Sequence, residues 1–308
     1  MASFSTEVRN ELARLNEEST CCQRAELAAL LRMGGAMVLG GGGVGMNFTS
    51  ENAAVARKVL SLIKRGVSLR TEVVVSRARR LKKNNSYLVK VTPSPHVKEV
   101  LLSLGILGGE GLNIGQDSPL LRKQCCRRAY LRGAFLGGGS VNRPEGDYHL
   151  ELVSANPDFA RTLAKVMKGF SLPVGLTERK QDYVVYLKGG DAITEFLQII
   201  GAHNALLDFE NVRVVKGMRN QVNRLVNCET ANLQKTVNAA VRQAAGIQRL
   251  ASRGELEKLP KTLQETAHLR ITHPEASLQE LVDLLDGKVS RSGLNHRLRK
   301  LEELALKL

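Results

Sequence analysis

The sequence predicts an α+β fold: two αββαββα repeats related by a pseudo-twofold axis, then a helical linker and an all-α helix-turn-helix domain. Three observations predict it. Residues 21–36, CCQRAELAALLRMGGA, return as residues 125–140, CCRRAYLRGAFLGGGS, with Cys21/Cys125, Cys22/Cys126, Arg24/Arg128, Ala25/Ala129, Leu27/Leu131, Gly34/Gly138 and Gly35/Gly139 all matching at the offset of 104. After each copy the hydrophobic period switches between strand and helix in the same order. From about residue 203 the repeat stops, and the last fifty residues carry helix start and stop signals.

The expected boundaries are an N-terminal helix within 1–20, repeats over 21–106 and 125–202, a helical linker over 203–255 and the helix-turn-helix domain over 256–308. MVLGGGGVGMNFTS and VNRPEGDYHLELVS each read as two short strands around a turn-rich centre. ENAAVARKVLSLIKRG and ANPDFARTLAKVMKGF read as helices, with Val55, Val59, Leu62 and Phe159, Leu163, Val166 at helical spacing. TEVVVSRARRLKKNNSYLVKV and GLTERKQDYVVYLKG form a second hairpin in each copy. Tyr87 aligns with Tyr183 at offset 96, so the first copy is about eight residues longer at its basic tip. HVKEVLLSLGI and AITEFLQIIGA close the copies through Glu99/Glu195, Leu101/Leu197 and Gly105/Gly201. Two four-stranded antiparallel sheets side by side are the expected result.

The stretch from 203 to about 255 reads as a mostly helical connector with Asn and Gln interspersed. Pro260 suits the start of a helix over 261–273, which Pro274 ends because the residue before proline avoids helical geometry. Ser277 with Glu280 is a capping box that opens the next helix. The turn GKVS then leads to a last helix with Leu294, Leu298 and Leu301 on its inner stripe.

Charge narrows the function. The 308 residues hold 45 Lys and Arg against 30 Asp and Glu, a net +15, which favours a polyanionic partner. Residues 57–90 alone carry 11 basic side chains and one acid, Glu72. A solvated face is the plainer reading of that run. No apolar run reaches the roughly 18 residues of a membrane span, and the N-terminus lacks the apolar core of a signal peptide, so a cytoplasmic protein is expected. GGAMVLGGGGVGMN lacks the GK[ST] of a phosphate-binding loop. The six histidines show no paired metal-ligand spacing, and no Ser/His/Asp or Cys/His set stands out. The five cysteines, two adjacent pairs and a single, fit neither a disulfide framework nor a CxxC zinc site, and they read as buried thiols. No cofactor or metal is expected.

A helix ending in small residues and glycine at the head of each αββαββα half resembles the LAGLIDADG homing-endonuclease fold, most closely in LRGAFLGGGS. The resemblance implies that the two motif helices pack through Ala25, Ala29, Ala129 and Gly133. It also implies a metal-binding acid just before the final glycine of each helix. Those positions are Gly34 and Gly138 here, so the carboxylates that would hold a divalent cation at a phosphodiester are missing. Across nearly the whole chain, FSTEVRNELARL, the paired CCxRA starts, RNQVNRLVNCETANLQK and HPEASLQELVDLLDGKVSRSGLNHRLRKL are similar to the WhiA family of Gram-positive bacteria.

That resemblance implies a DNA-binding protein of cell division and chromosome segregation, with transcriptional control of sporulation in spore formers and no nuclease activity. A division-complex adaptor without DNA, or an RNA-binding protein, is the alternative. The expected partners are double-stranded DNA and another transcription factor or division protein, in a nucleoid-associated setting. The expected reading surface is Ser277, Ser290, Arg291, Ser292, Asn295, His296, Arg299 and Lys300 of the helix-turn-helix. Arg77, Arg79, Arg80, Lys82 and Lys83, on the longer hairpin of the first copy, are expected on DNA backbone. By family matching, Asn220, Asn223, Arg224, Asn227, Asn232 and Lys235 of the linker either bind DNA or cap structure.

Overall fold

The apolar positions shared by the two copies fall where one face of each sheet meets its helices. The computed structural model describes residues 3–16, 19–41, 43–77, 85–108, 111–112, 119–286 and 288–308. The chain divides into two compact units, Met1–Lys216 and Gly217–Leu308.

Unit 1 opens with α1 (Phe4–Arg14), followed by the first repeat: α2 (Thr20–Gly34), β1 (Gly35–Gly40), β2 (Gly43–Ser50), α3 (Ala53–Gly66), β3 (Thr71–Arg77), β4 (Asn85–Val91) and α4 (Pro95–Ser103). Two-residue strands β5 (Leu107–Gly108) and β6 (Gly111–Leu112) and a 3-10 turn at Pro119–Leu121 lead to the second repeat. This comprises α5 (Gln124–Gly138), β7 (Gly139–Val141), β8 (His149–Ser154), α6 (Pro157–Lys168), β9 (Gly175–Arg179), β10 (Asp182–Lys188) and α7 (Gly190–Ile200). The αββαββα reading holds element for element. The sheets run β1-β2-β4-β3 and β7-β8-β10-β9, antiparallel throughout.

Register follows from the period of two. Met46 faces Val91 and Phe48 faces Val89 across β2 and β4, all four buried, while Asn47 and Lys90 pair on the opposite face. In the second sheet Leu150, Leu152, Val185 and Leu187 point inward, leaving His149, Glu151, Tyr186 and Lys188 outward. The repeat extends to capping. Asn52 Oδ1 accepts from the N–H groups of Ala54 and Val55, and Asn156 Oδ1 accepts from those of Asp158 and Phe159, so one asparagine starts α3 and its counterpart starts α6.

The central interface is α2 against α5. A Cβ on Gly133 would lie 2.2 Å from the Glu26 carbonyl oxygen, and one on Gly137 would lie 2.5 Å from Met33 Cβ. Glycine is required there because the backbones touch. Ala25, Ala29 and Ala129 are fully buried in the same seam. At their ends the two helices pass straight into strands: Gly35 and Gly139 are extended, with φ −91° and −85°. The terminal glycines therefore supply space, not a left-handed turn.

Helix α8 (His203–Ser252) begins in unit 1, where Ala205 and Phe209 are buried, and continues into unit 2. The stretch read as a connector is one unbroken 50-residue helix. Ile247 and Leu250 near its end join a core with Ala267, Leu301 and Ala305. A short 3-10 turn at Leu256–Lys258 precedes α9 (Lys261–Thr272), α10 (Leu278–Asp283) and α11 (Arg291–Leu306). Pro260 stands at the N-cap of α9, one residue outside the helix. The capping box is complete: the Ser277 N–H donates to Glu280 Oε2 at 2.6 Å and the Glu280 N–H donates to Ser277 Oγ at 3.3 Å. Buried Arg270 fixes the α9–α10 turn by donating to the carbonyls of Ala276 (2.7 Å) and His273 (3.3 Å). Leu294 and Leu298 of α11 pack on Leu281 and Val282 of α10, which sets the angle of the last helix.

Candidate nucleic-acid interface

With Leu294, Leu298 and Leu301 buried, the helical period turns the other face of α11 to solvent. Arg291, Ser292, His296, Arg299 and Lys300 are exposed there and Asn295 is half-buried. Lys300 Nζ lies 3.9 Å from Glu303 Oε2, a loose surface pair. Two of the three serines of the expected set have local duties. Ser277 caps α10, and Ser290 Oγ accepts the Gly293 N–H at 3.2 Å to cap α11. These caps fix the starts of α10 and α11, and a helix start is a place suited to phosphate.

On α8, Asn220, Asn223, Arg224 and Asn227 recur at i, i+3, i+4 and i+7, so they share one face, and all are exposed. Lys235 is exposed further along, and Asn232 donates to Cys228 Sγ at 3.8 Å. None of the six lies at a helix end, so none is a cap. Asparagine is a poor helix former, and exposed positions in a helix interior give it no packing in return. Met218, Val222 and Leu225 form a second row on the opposite face and are also exposed, 57–62% of their surface being open.

The basic run 57–90 is not one surface. Lys58 is buried in an ion pair. Arg57 and Arg65 of α3 line a cavity of about 950 Å³ with Arg9 and Arg14 of α1, on the helix-covered side of the first sheet. Among the described lysines of the run, Lys90 is the one on the open face of β4, and it pairs in register with Glu72. Arg77 closes β3, exposed and opposite Asn85. Arg79, Arg80, Lys82 and Lys83 lie outside the described residues, in the seven-residue connection between Arg77 and Asn85. The matching β9–β10 hairpin of the second copy turns in two residues between Arg179 and Asp182, with Lys180 at φ 61°. Its Arg179 is drawn to Glu151 at 3.4 Å.

At the ends of α2 and α5 a side chain on Gly34 would meet the Phe48 ring at 2.8 Å. One on Gly138 would meet Met33 Cε at 2.6 Å and the Val153 carbonyl at 3.1 Å. An acid fits neither place without displacing its neighbours. Among the described residues, the grouping of His, Cys, Asp and Glu side chains able to share an ion is Cys21, Cys22, Cys125 and Cys126.

Two features escaped the sequence reading. Glu26 of α2, with no exposed surface, lies 3.4 Å from Lys58 Nζ of α3 and accepts from Arg132 Nε of α5 at 3.2 Å. Lys58 also donates to the Leu15 carbonyl and Arg132 to that of Ile200. Burial raises the Glu26 carboxyl above its ordinary range, against the pull of Arg132 and Lys58. The signal was an acid inside the apolar run RAELAALL. The second feature is the cysteine cluster. Cys22 and Cys126 are buried, as read, but Cys21 is half-buried and Cys125 and Cys228 are exposed.

Three family models match the chain: the WhiA N-terminal LAGLIDADG-like domain at 20–107, the WhiA LAGLIDADG-like domain at 127–219 and the WhiA C-terminal HTH domain at 222–305. Proteins of Desulforamulus reducens and Desulfitobacterium hafniense, each named Probable cell division protein WhiA, are 52% and 53% identical over 309 and 307 residues. Each alignment covers 99% of this chain and 96% of the relative. Full-length WhiA from Thermatoga maritima has a similar fold, with TM-score 0.62 and 24% identity, over 100% of this chain and 99% of that one. The N-terminal LAGLIDADG domain of WhiA matches at TM-score 0.52 and 22% identity, over 65% of this chain and 91% of that one.

Proposed function

The chain belongs to the WhiA family, and from that premise we propose that it is a sequence-specific binder of double-stranded DNA that regulates cell division and does not cut DNA. The observation that carries the reading is α11: a basic and polar row, held outward by a buried leucine stripe and opened by a capped first turn. Arg and Asn can each form paired hydrogen bonds to base edges in a major groove, so Asn295 and Arg299 are assigned to bases. Ser290, Arg291, Ser292, His296 and Lys300 are assigned to phosphates and flanking bases, and Ser277 to a phosphate beside the α10 start. The name carried by the relatives supports division as the process. The same binding mode supports transcriptional control and a nucleoid-associated location, and the assignment of sporulation genes to that control rests on the family resemblance alone. No helix of the described residues is long and apolar enough to cross a membrane.

Hydrolysis by a LAGLIDADG scaffold needs carboxylates at the motif-helix ends, and both positions are glycine in tight space. Supercoiled plasmid incubated with the protein and Mg²⁺ or Mn²⁺ is expected to stay uncut. Nicking that co-elutes with the protein through two further columns would contradict this.

The β3–β4 hairpin, with Arg77 and the four cations of 79–83, is assigned to DNA backbone. Each neutralised phosphate adds about 0.9 to the magnitude of the log-log salt slope. Duplex binding measured by fluorescence anisotropy across a salt series is expected to flatten by roughly two to four units when Arg79, Arg80, Lys82 and Lys83 become Ala, with the preferred sequence retained. An unchanged slope in a folded variant would make these residues a solvated face.

A second reading has its own observation. The exposed Met218, Val222 and Leu225 row of α8 favours a protein partner, such as another transcription factor or division protein, acting together with DNA on the Asn220, Asn223, Arg224, Asn227 and Lys235 side.

A further inference from the structure

The parallel packing of α2 and α5 brings their first turns together. Cys21 and Cys22 are the second and third residues of α2, and Cys125 and Cys126 hold the same places in α5. One ligand atom from each lies within 4.8 Å of the other three, and the Cys125 and Cys126 sulfurs are 4.0 Å apart. We propose that these four cysteines bind one soft divalent cation, best matched by Zn²⁺, as a closed tetrathiolate site that ties the two repeats together at the start of their central interface.

The dimensions suit one ion. Tetrahedral zinc with Zn–S of about 2.3 Å sets its sulfurs about 3.8 Å apart, so closing the site requires shifts of no more than about 1 Å. An iron–sulfur cluster spreads its four thiolates around a polyatomic core and needs wider spacing. A disulfide needs sulfurs about 2.0 Å apart, and none of the five cysteines is in one.

The electrostatics suit thiolates. Binding Zn²⁺ displaces the four thiol protons and leaves a complex of net charge −2 facing two helix N-termini, whose N–H groups and dipoles favour negative charge. Neither N-cap residue, Ser19 or Lys123, spends its side chain on capping. Ser19 Oγ instead sits 3.0 Å from Cys21 Sγ, within reach of a hydrogen bond to it. Arg128 lines the same cleft as Cys22 and Cys125 and adds positive charge. The duplicated Cys-Cys pair is thereby explained: each copy supplies half of one site, and neither pair holds a closed shell alone.

The test uses the full-length chain purified under reducing, chelator-free conditions, with zinc measured by elemental analysis and Co²⁺ used as a spectroscopic stand-in. The expected result is about one zinc per chain, and thiolate-to-cobalt charge transfer with the intense visible bands of a tetrahedral site. In Cys21→Ser/Cys125→Ser, which alters the two more accessible members, the metal content is expected to fall at least about tenfold with circular dichroism unchanged. Cys228→Ser is expected to keep the full equivalent. The proposal is overturned if the wild type carries no zinc and gives no charge-transfer band. Metal retained by the double variant, metal lost in Cys228→Ser, or four thiols missing from a titration of the freshly unfolded protein would each overturn it as well.

Discussion

Glu26→Ala is expected to destabilise unit 1 by about 3–5 kcal/mol, because removing one partner of a buried ion network leaves the others charged in a medium that cannot solvate them. Lys58 and Arg132 keep only 6% and 10% of their side-chain surface exposed, so water cannot take the place of the lost carboxylate. The three groups come from α3, α2 and α5, and the loss therefore falls on the interface between the two repeats. Urea unfolding followed by circular dichroism reads it as a lower midpoint for unit 1. The charge-free triple variant Glu26→Leu/Lys58→Met/Arg132→Met is expected to recover more than half of that loss, since apolar groups of similar volume often replace a buried ion network at little cost. A single variant within about 1 kcal/mol of the wild type would show that the network is solvated.

Asn295→Ala combined with Arg299→Ala is expected to cost about 2–6 kcal/mol of specific binding, at about 1–3 kcal/mol for each base-reading contact. Binding to unrelated duplex should fall much less, because it rests on phosphate charge and only one of the two residues is charged. The fold should not suffer: Arg299 is exposed, Asn295 half-buried, and the leucines that seat α11 are untouched. Lys300→Ala is the contrasting change. As a phosphate contact it should weaken every sequence alike and lower the salt slope by about 0.9. Anisotropy on a specific and an unrelated duplex, side by side, separates the two kinds of contact.

The repeat was legible because each element is short and alternates cleanly, so the offset of 104 carried from the motif helices through the Asn52 and Asn156 caps. The helix-turn-helix was legible for a similar reason: Ser277, Glu280 and the leucines of α11 are local signals. What depends on packing between distant segments was not. The run 57–90 reads as one basic patch, yet α3 and the β3–β4 hairpin belong to different layers, and Lys58 turns inward to Glu26. The cysteine pairs mark the repeat in the sequence, but their spacing along the chain says nothing of the sulfur distances that parallel packing creates. The linker asparagines read equally as DNA contacts or as caps, because asparagine often caps helices, and the continuity of α8 removes the capping role.

Selection of bound duplexes from a random pool, run with the wild type and with Asn295→Ala/Arg299→Ala, tests most directly the claim that this is a sequence reader built on a non-cutting scaffold. The wild type is expected to enrich one motif and return every duplex intact with Mg²⁺ present, while the variant enriches no motif although it still retains DNA at low salt. Enrichment of the same motif by both proteins would place sequence choice outside α11 and contradict the account.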